Sequence, residues 1–157
     1  MFSVFTVCFF GHRRIDNFQA VELAVESLIR KIVSEHSYVE FLIGRDGDFD
    51  QIVTSAIRRY KKSNDTANCS LTWVMPYMKA EYKHSQESFE SYYDSIELCE
   101  VSAHDYPKAA IQIRNRAMID RADLCVFYVI EKKGGAYKTL RYAEKTNVDI
   151  INLAAIT

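Results

Sequence analysis

Two adjacent glycines, Gly134 and Gly135, stand between a long apolar run and a helical segment near the end of the chain. Glycines at such a junction let backbone N–H groups approach an anion at the amino end of the helix. Two arginines lie upstream, and only one of them can face a given side of a helix, because residues two apart do not share a face. We prefer Arg114 to Arg116, since Met118 packs inward one turn later on the same side. This pattern predicts a phosphate-binding site, and its alternative is a plain β-turn with two surface arginines.

Two further loops carry glycines beside charged residues, each directly after an apolar run. The first loop (residues 11–14) and the second loop (residues 44–50) contribute these candidate ligand-binding residues: Gly11, His12, Arg13, Gly44, Arg45, Gly47 and Asp50. Because the carboxyl ends of parallel strands meet at one edge of a sheet, we expect both loops to face the glycine loop (residues 132–135). Asp50 has two interpretations, a partner for a ribose hydroxyl or a cap at a helix amino end. Each loop taken alone also fits an ordinary turn with solvated arginines.

Several common site classes do not fit these residues. The second loop lacks the Gly-Lys-Ser/Thr of a Walker A loop and the spacing of GxGxxG. It superficially resembles a calcium loop, but Ile57 occupies the position where an EF-hand needs its bidentate glutamate. The four cysteines are widely spaced with no CxxC pair, which is typical of reduced thiols rather than zinc ligands. We therefore predict no metal and no cofactor.

Hydrophobic periodicity predicts the elements that position these loops. Strands are expected at 2–10, 38–43, 69–75, 124–130 and 149–153, and amphipathic segments between most of them predict helices. The long apolar runs 2–10 and 124–130 belong in the middle of a sheet, whereas 69–75 alternates as an edge strand does. The chain is thus predicted to be α/β, a Rossmann-like open parallel sheet of about five strands in the order 3-2-1-4-5, with helices on both faces.

Length and composition set the broad class of protein. The 157 residues predict a single domain, 1–157, within which the aperiodic, tyrosine-rich segment 77–106 is expected to be an insert or lid. A net charge of −1 argues against a nucleic-acid partner. There is no apolar run near 18 residues and no signal-peptide pattern, so we expect a cytoplasmic protein without a membrane partner. The aromatic insert is compatible with a homodimer.

The combination of motifs is more specific than its parts. The motif residues are Phe10-Gly11-His12-Arg13, Gly44-x-x-Gly47-x-Phe49-Asp50, Arg114-Asn115-x-x-Met118, Gly134-Gly135-Ala136 and Ile151-Asn152-Leu153. Together they resemble the SLOG superfamily, Rossmann-like domains that include the LOG phosphoribohydrolases and the DNA-processing protein DprA. More narrowly, the chain resembles a bacterial branch related to YpsA. The resemblance implies a nucleotide or nucleotide-derived ligand bound across these loops.

The same resemblance bears on catalysis. LOG enzymes carry a glutamate in a PGGxGTxxE pattern after the glycine loop. Here Lys133 precedes the glycines, Thr139 falls one position late, and Arg141 or Tyr142 takes the place of the glutamate. Glycosidic cleavage needs a positioned carboxylate, so the sequence favours a binding domain over a phosphoribohydrolase.

Three functions follow from the sequence, in this order. The first is a binding or sensor domain for a nucleotide or an ADP-ribose-like small molecule, with Arg114, Asn115 and Thr139 beside the glycine loop. The second is a nucleotide N-glycosidase whose acid comes from elsewhere; the candidates are Glu87, Glu90 and Glu144. The third is single-stranded DNA binding, which the near-neutral charge and the lack of a long basic stripe disfavour.

Overall fold

The computed structural model describes residues 3–65 and 68–156, and its helices and strands alternate along most of the chain. The elements are β1 (Val4–Gly11), α1 (Phe18–Glu35), β2 (Tyr38–Ile43), α2 (Asp48–Ser63), β3 (Cys69–Met75), α3 (Ala80–His84), α4 (Gln86–Tyr92), β4 (Ser95–Leu98), α5 (Pro107–Arg121), β5 (Leu124–Tyr128), α6 (Gly135–Glu144) and β6 (Asp149–Asn152), followed by a 3-10 turn at Leu153–Ala155. The predicted strand at 124–130 ends two residues early, at Tyr128. Residues 2, 66 and 67, which belong to the predicted first strand and the polar stretch before β3, lie outside the described part.

The sheet has six parallel strands in the order β4-β3-β2-β1-β5-β6. This confirms the Rossmann-like α/β fold, and the five strands read from the sequence have the predicted order 3-2-1-4-5. The expectation that 69–75 forms the edge is wrong, because β4 pairs with it from Thr72↔Ser95 to Met75↔Leu98. On the face of β3 that carries Ser70 and Thr72, Thr72 and Val74 are accordingly buried, at 1% and 4% exposed.

Two cores lie on opposite faces of the sheet. Successive β1 residues alternate between them, so Phe9 packs towards α1 and α2 while Cys8 and Phe10 pack towards α5 and α6. A strand whose residues are buried on both faces reads as a continuous apolar run, which is how β1 and β5 appear in the sequence. None of the helices in residues 3–65 and 68–156 has the length and hydropathy of a membrane span.

Segment 77–106 is built into the first of these cores. Its helices place Tyr82, Phe89 and Tyr93 around Trp73 of β3, with ring centroids 6.1, 5.1 and 5.4 Å from the indole. Aromatic pairs at such separations stabilise a core beyond the area they bury. The segment therefore covers β3 and adds β4 to the sheet, and its role as a lid stays a prediction.

Candidate functional site

A cleft of about 1890 Å³ opens at the carboxyl edge of the central strands. The first loop, the second loop, the glycine loop and the start of α5 all contribute to it. Ten of the residues predicted to bind a ligand line this cleft: Gly11, His12, Arg13, Gly44, Arg45, Asp50, Arg114, Asn115, Gly134 and Gly135. The other two predicted residues, Gly47 and Thr139, are not part of its lining.

Gly47 and Gly11 bring the first two loops together. A Cβ atom on Gly47 would lie 2.5 Å from the Cα of Arg13, and one on Gly11 would lie 2.4 Å from the Phe49 ring. The backbone N–H of Asp48 donates to the carbonyl of Arg13 at 2.9 Å. The Asp48 carboxylate in turn accepts from the N–H of Ile15 at 3.0 Å. These two glycines allow the close backbone approach of the two loops. Their contact with a ligand stays a prediction.

Arg114 is 1% exposed and is held by protein groups. Its Nη2 donates to the carboxylate of Asp46 at 2.6 Å, and its Nη1 donates to the carbonyl of Val74 at 2.8 Å. Because a buried charge needs such partners, the ion pair with Asp46 fixes the guanidinium at the floor of the cleft. Direct contact between Arg114 and a ligand phosphate stays a prediction. Arg116 is exposed and lies over the Tyr142 ring, 5.7 Å from its centroid.

A chain of hydrogen bonds connects Arg114 to the glycine loop. Nε of Arg114 donates to Oδ1 of Asn115 at 2.9 Å, and Nδ2 of Asn115 donates to Oγ1 of Thr139 at 3.0 Å. The Thr139 hydroxyl then donates to the carbonyl of Gly135 at 3.0 Å. Gln112 of α5 also donates to this carbonyl, at 3.2 Å. Asn115 and Thr139 thus connect Arg114 to the start of α6, and Asn115 also lines the cleft.

Gly134 has the backbone conformation that the glycine-loop prediction requires. Its φ is 90°, in the left-handed region that favours glycine, and a Cβ built there would meet nothing within 4 Å. The loop backbone is therefore open towards the cleft at the amino end of α6. Helix amino ends present N–H groups and a partial positive charge, which favours an anion.

Asp50 lies beneath the second loop and is 9% exposed. Its carboxylate accepts a hydrogen bond from the N–H of Asp46 at 3.0 Å. Burial and the neighbouring Asp46 carboxylate raise the pKa of Asp50 to about 7, although the Asp46 N–H and the nearby Arg114 and Arg13 charges oppose the rise. Near neutral pH the cleft floor therefore gains or loses a negative charge at this residue.

His12 has a partner that the sequence did not reveal. Its Nε2 accepts hydrogen bonds from two consecutive backbone N–H groups, Ile130 at 2.8 Å and Glu131 at 3.2 Å. Its ring lies edge-on to Tyr128, with centroids 6.4 Å apart. The first loop and the chain that follows β5 are thus joined through one imidazole nitrogen.

The lining is richer in positive charge than the chain as a whole. It holds eight lysine and arginine side chains and four carboxylates. The cations are Arg13, Arg14, Arg45, Lys79, Lys108, Arg114, Lys133 and Lys138, and the carboxylates are Asp16, Asp46, Asp50 and Glu131. A net charge of −1 for the whole chain hides this local excess, because acidic residues are concentrated elsewhere.

Sequence reasoning missed the part of the site that segment 77–106 and the start of α5 supply. Tyr77 and Lys79 line the cleft from one side, and Tyr106, which is 86% exposed, lines it from the residue before α5. Pro107 at the first position of a helix was the available signal, since it marks a helix start and hence a loop end at this edge.

The candidate acids Glu87, Glu90 and Glu144 are exposed and lie outside the lining. Across residues 3–65 and 68–156, no group of three or more His, Cys, Asp or Glu residues is placed to hold a metal ion.

Comparison with solved structures gives the fold a context. No protein-family model matches the sequence, and no curated protein matches it either. The structure is similar to DNA processing protein A (DprA) from Streptococcus pneumoniae, with a TM-score of 0.68, 14% identity, and coverage of 94% of this chain and 49% of that one. It is also similar to DprA from Helicobacter pylori, whose structure is described in terms of its single-stranded DNA binding mode, with a TM-score of 0.64, 17% identity, and coverage of 93% and 63%. The fold is DprA-like, and the chain spans about half to two thirds of the length of these structures.

Proposed function

We propose that the cleft binds single-stranded nucleic acid, with single-stranded DNA as the first ligand to test. The observation that carries this proposal is the size of the cleft together with its charge. Small-molecule sites usually enclose about 300–1,000 Å³, whereas this cleft measures about 1890 Å³ and has twice as many cations as carboxylates. A strand of several nucleotides fills such a volume, and one mononucleotide does not.

The chemistry of the rim supports the same ligand. Single-strand binders combine a positively charged groove for the backbone with aromatic rings on which bases stack. Lys133 lies in the glycine loop and Lys138 lies near the start of α6, and both are exposed. Tyr106 also lines the cleft and is 86% exposed. Phosphates therefore meet the lysines and the glycine-loop amides while a base stacks on Tyr106.

The DprA-like fold favours single-stranded DNA binding over the nucleotide-binding function that the sequence ranked first. The Helicobacter pylori protein that shares the fold is described as binding single-stranded DNA. The net charge of −1, which disfavours nucleic acid at the level of the sequence, averages over the whole surface. Binding depends on the charge facing the phosphates, and that charge is positive here. Membership of the SLOG superfamily agrees with this fold; the narrower relation to YpsA, the cytoplasmic location and a homodimer stay predictions.

A nucleotide or ADP-ribose-like ligand is the second candidate. The conformation of Gly134, with φ at 90° and open space where a Cβ would be, favours it. Phosphate binding at the glycine loop is expected for both ligands, because a diphosphate and a nucleic-acid backbone present the same kind of phosphate oxygen. The two ligands differ in the extent of the cleft that they occupy.

Fluorescence anisotropy with labelled oligo(dT) separates the two candidates. We expect binding that weakens with salt and that falls by about tenfold in a Lys133→Gln/Lys138→Gln double variant, with a salt slope about 1.4 units shallower. The matched control is Lys31→Gln/Lys145→Gln, since both lysines are exposed and lie outside the cleft. An equal loss in the control would show that the binding is non-specific. Stabilisation by AMP or ADP-ribose without any oligo(dT) binding would favour the second candidate.

A further inference from the structure

Two backbone N–H groups converge on a single atom at the rim of the cleft. Those of Ile130 and Glu131 both donate to Nε2 of His12, at 2.8 and 3.2 Å. Consecutive N–H groups that point to one spot form a concave site suited to an anionic oxygen. In the structure, the lone pair of the His12 imidazole occupies that spot.

The chemistry of histidine makes this arrangement dependent on its protonation. A neutral imidazole that accepts at Nε2 carries its proton on Nδ1, whereas the imidazolium has two donors and no acceptor. Protonation of His12 therefore removes the acceptor to which both N–H groups donate in residues 3–65 and 68–156, and it places three donors close together. The ring must then turn away or share an anion with them.

We propose that the Ile130 and Glu131 N–H groups form an anion subsite that takes a phosphate oxygen of the bound strand, and that His12 gates it. In the neutral form the ring occupies the subsite and holds the chain after β5. In the protonated form it releases the two N–H groups and adds a positive charge beside the phosphate. Acidification should therefore strengthen phosphate binding at this position. This regulation rests on the proposed function of the cleft.

Other groups near His12 contribute to the charge that the phosphate meets. Tyr128 faces the ring from β5, and the exposed carboxylate of Glu131 follows in the next segment. Arg13 adjoins His12 on its own loop, and Lys133 lies beyond Glu131 on the cleft lining. Asp50 also titrates near neutrality on the cleft floor. Its protonation would itself favour an anion at low pH, so a variant at position 12 is needed to separate the two effects.

NMR can detect whether His12 controls access to the subsite, through the amide resonances of Ile130 and Glu131 in the protein alone. When the pH is lowered from 8 to 5.5, the amide resonances of Ile130 and Glu131 should shift in step with the ring resonances of His12. Addition of inorganic phosphate near pH 5.5 should shift these amides further, and addition near pH 8 should not. This experiment needs no substitution, so it does not depend on how a variant folds. Amide resonances that do not shift while the ring resonances of His12 do would overturn the proposal.

Affinity for oligo(dT) provides the second measurement, because neither phosphodiesters nor thymine change charge between about pH 5.5 and 8. We expect the wild type to bind about tenfold more tightly at the lower pH than at the higher one, consistent with one added charge-assisted contact. His12→Gln keeps an acceptor for the two N–H groups but does not titrate, so its ratio should fall to what Asp50 and the other groups contribute.

His84→Gln is the matched control, since His84 is exposed and lies outside the cleft lining. It should keep the wild-type ratio. An unchanged ratio in His12→Gln would refute the gate while leaving nucleic-acid binding intact. Absence of oligo(dT) binding at both pH values would refute the proposed function, and the amide shifts would then still decide whether the subsite exists.

Discussion

Replacement of Asp50 by asparagine should change both the stability of the protein and its dependence on pH. The carboxyl group is 9% exposed, and burial together with Asp46 raises its pKa from 3.8 to about 7. Between these two values the folded protein retains a proton that the unfolded chain has released. Stability must therefore fall as the pH rises through this window, and the full penalty is present above about pH 7.

The size of the penalty follows from the shift. Three units of pKa correspond to about 4 kcal/mol at 1.36 kcal/mol per unit, which is the ceiling for what Asp50→Asn can recover at pH 8. Asparagine has the same shape, and its Oδ1 can accept the hydrogen bond that the Asp46 N–H now donates at 3.0 Å. For a chain of this length, 1 kcal/mol moves Tm by about 2–4 °C, so full recovery would raise Tm by roughly 8 °C or more.

Thermal unfolding of the two proteins at pH 5 and pH 8 measures the effect. The wild type should lose stability between the two values, and Asp50→Asn should lose much less. Asp16→Asn serves as the control, because Asp16 is an exposed carboxylate of the same cleft and should leave the pH profile unchanged. If Asp50→Asn melts at or below the wild-type temperature at pH 8 and keeps the wild-type pH profile, the reasoning from burial is refuted.

Three further outcomes follow from the geometry of the cleft. Gly11→Ala should lower the free energy of unfolding, measured in urea, by about 1–3 kcal/mol, because its Cβ would lie 2.4 Å from the Phe49 ring. The control Gly135→Ala should lower it by less than about 1 kcal/mol, since its Cβ would meet only the end of the Gln112 side chain. Equal losses of stability in the two variants would contradict the packing argument. Arg114→Ala should lower the free energy of unfolding by about 3–5 kcal/mol, because it leaves Asp46 unpaired. The control Arg116→Ala changes an exposed residue and should lower it by less than about 0.5 kcal/mol. A small loss of stability in Arg114→Ala would show that the ion pair is not structural. A coupled assay for free adenine should detect no appreciable hydrolysis of AMP, since Glu87, Glu90 and Glu144 lie outside the cleft; turnover that disappears in Asp50→Asn would refute this and identify Asp50 as the acid.

The fold was predictable wherever burial leaves a pattern in the sequence. The continuous apolar runs of β1 and β5 placed both strands in the middle of the sheet, and the relative order of five strands followed. β4 was missed because it has four residues, Ser95–Leu98, none of them fully buried, which is too short and too exposed to show a period. The assignment of 69–75 to the edge failed for the same reason, since it depended on the absence of a further strand.

The site was predictable in its backbone and less so in its side chains. Glycines after apolar runs revealed the three loops, because close approach and a positive φ need glycine at fixed places. The sequence contains no comparable pattern that identifies the partners of charged residues. Arg114 pairs with Asp46 across 68 positions, and His12 accepts from N–H groups 118 and 119 positions away. Only the sheet topology brings these groups together.

The Arg114-Asn115 motif illustrates why a matched motif does not by itself specify a ligand. Arg114 donates to Asp46, Val74 and Asn115, and Asn115 donates on to Thr139. These bonds connect the second loop to the glycine loop through the interior, so they are needed whatever the cleft holds. We infer that the motif maintains the shape of the cleft, while the exposed residues at its rim select the ligand. A sequence match in the motif therefore predicts the fold well, and the ligand must be sought at positions such as Tyr106 and Lys133, where no burial constrains the residue type.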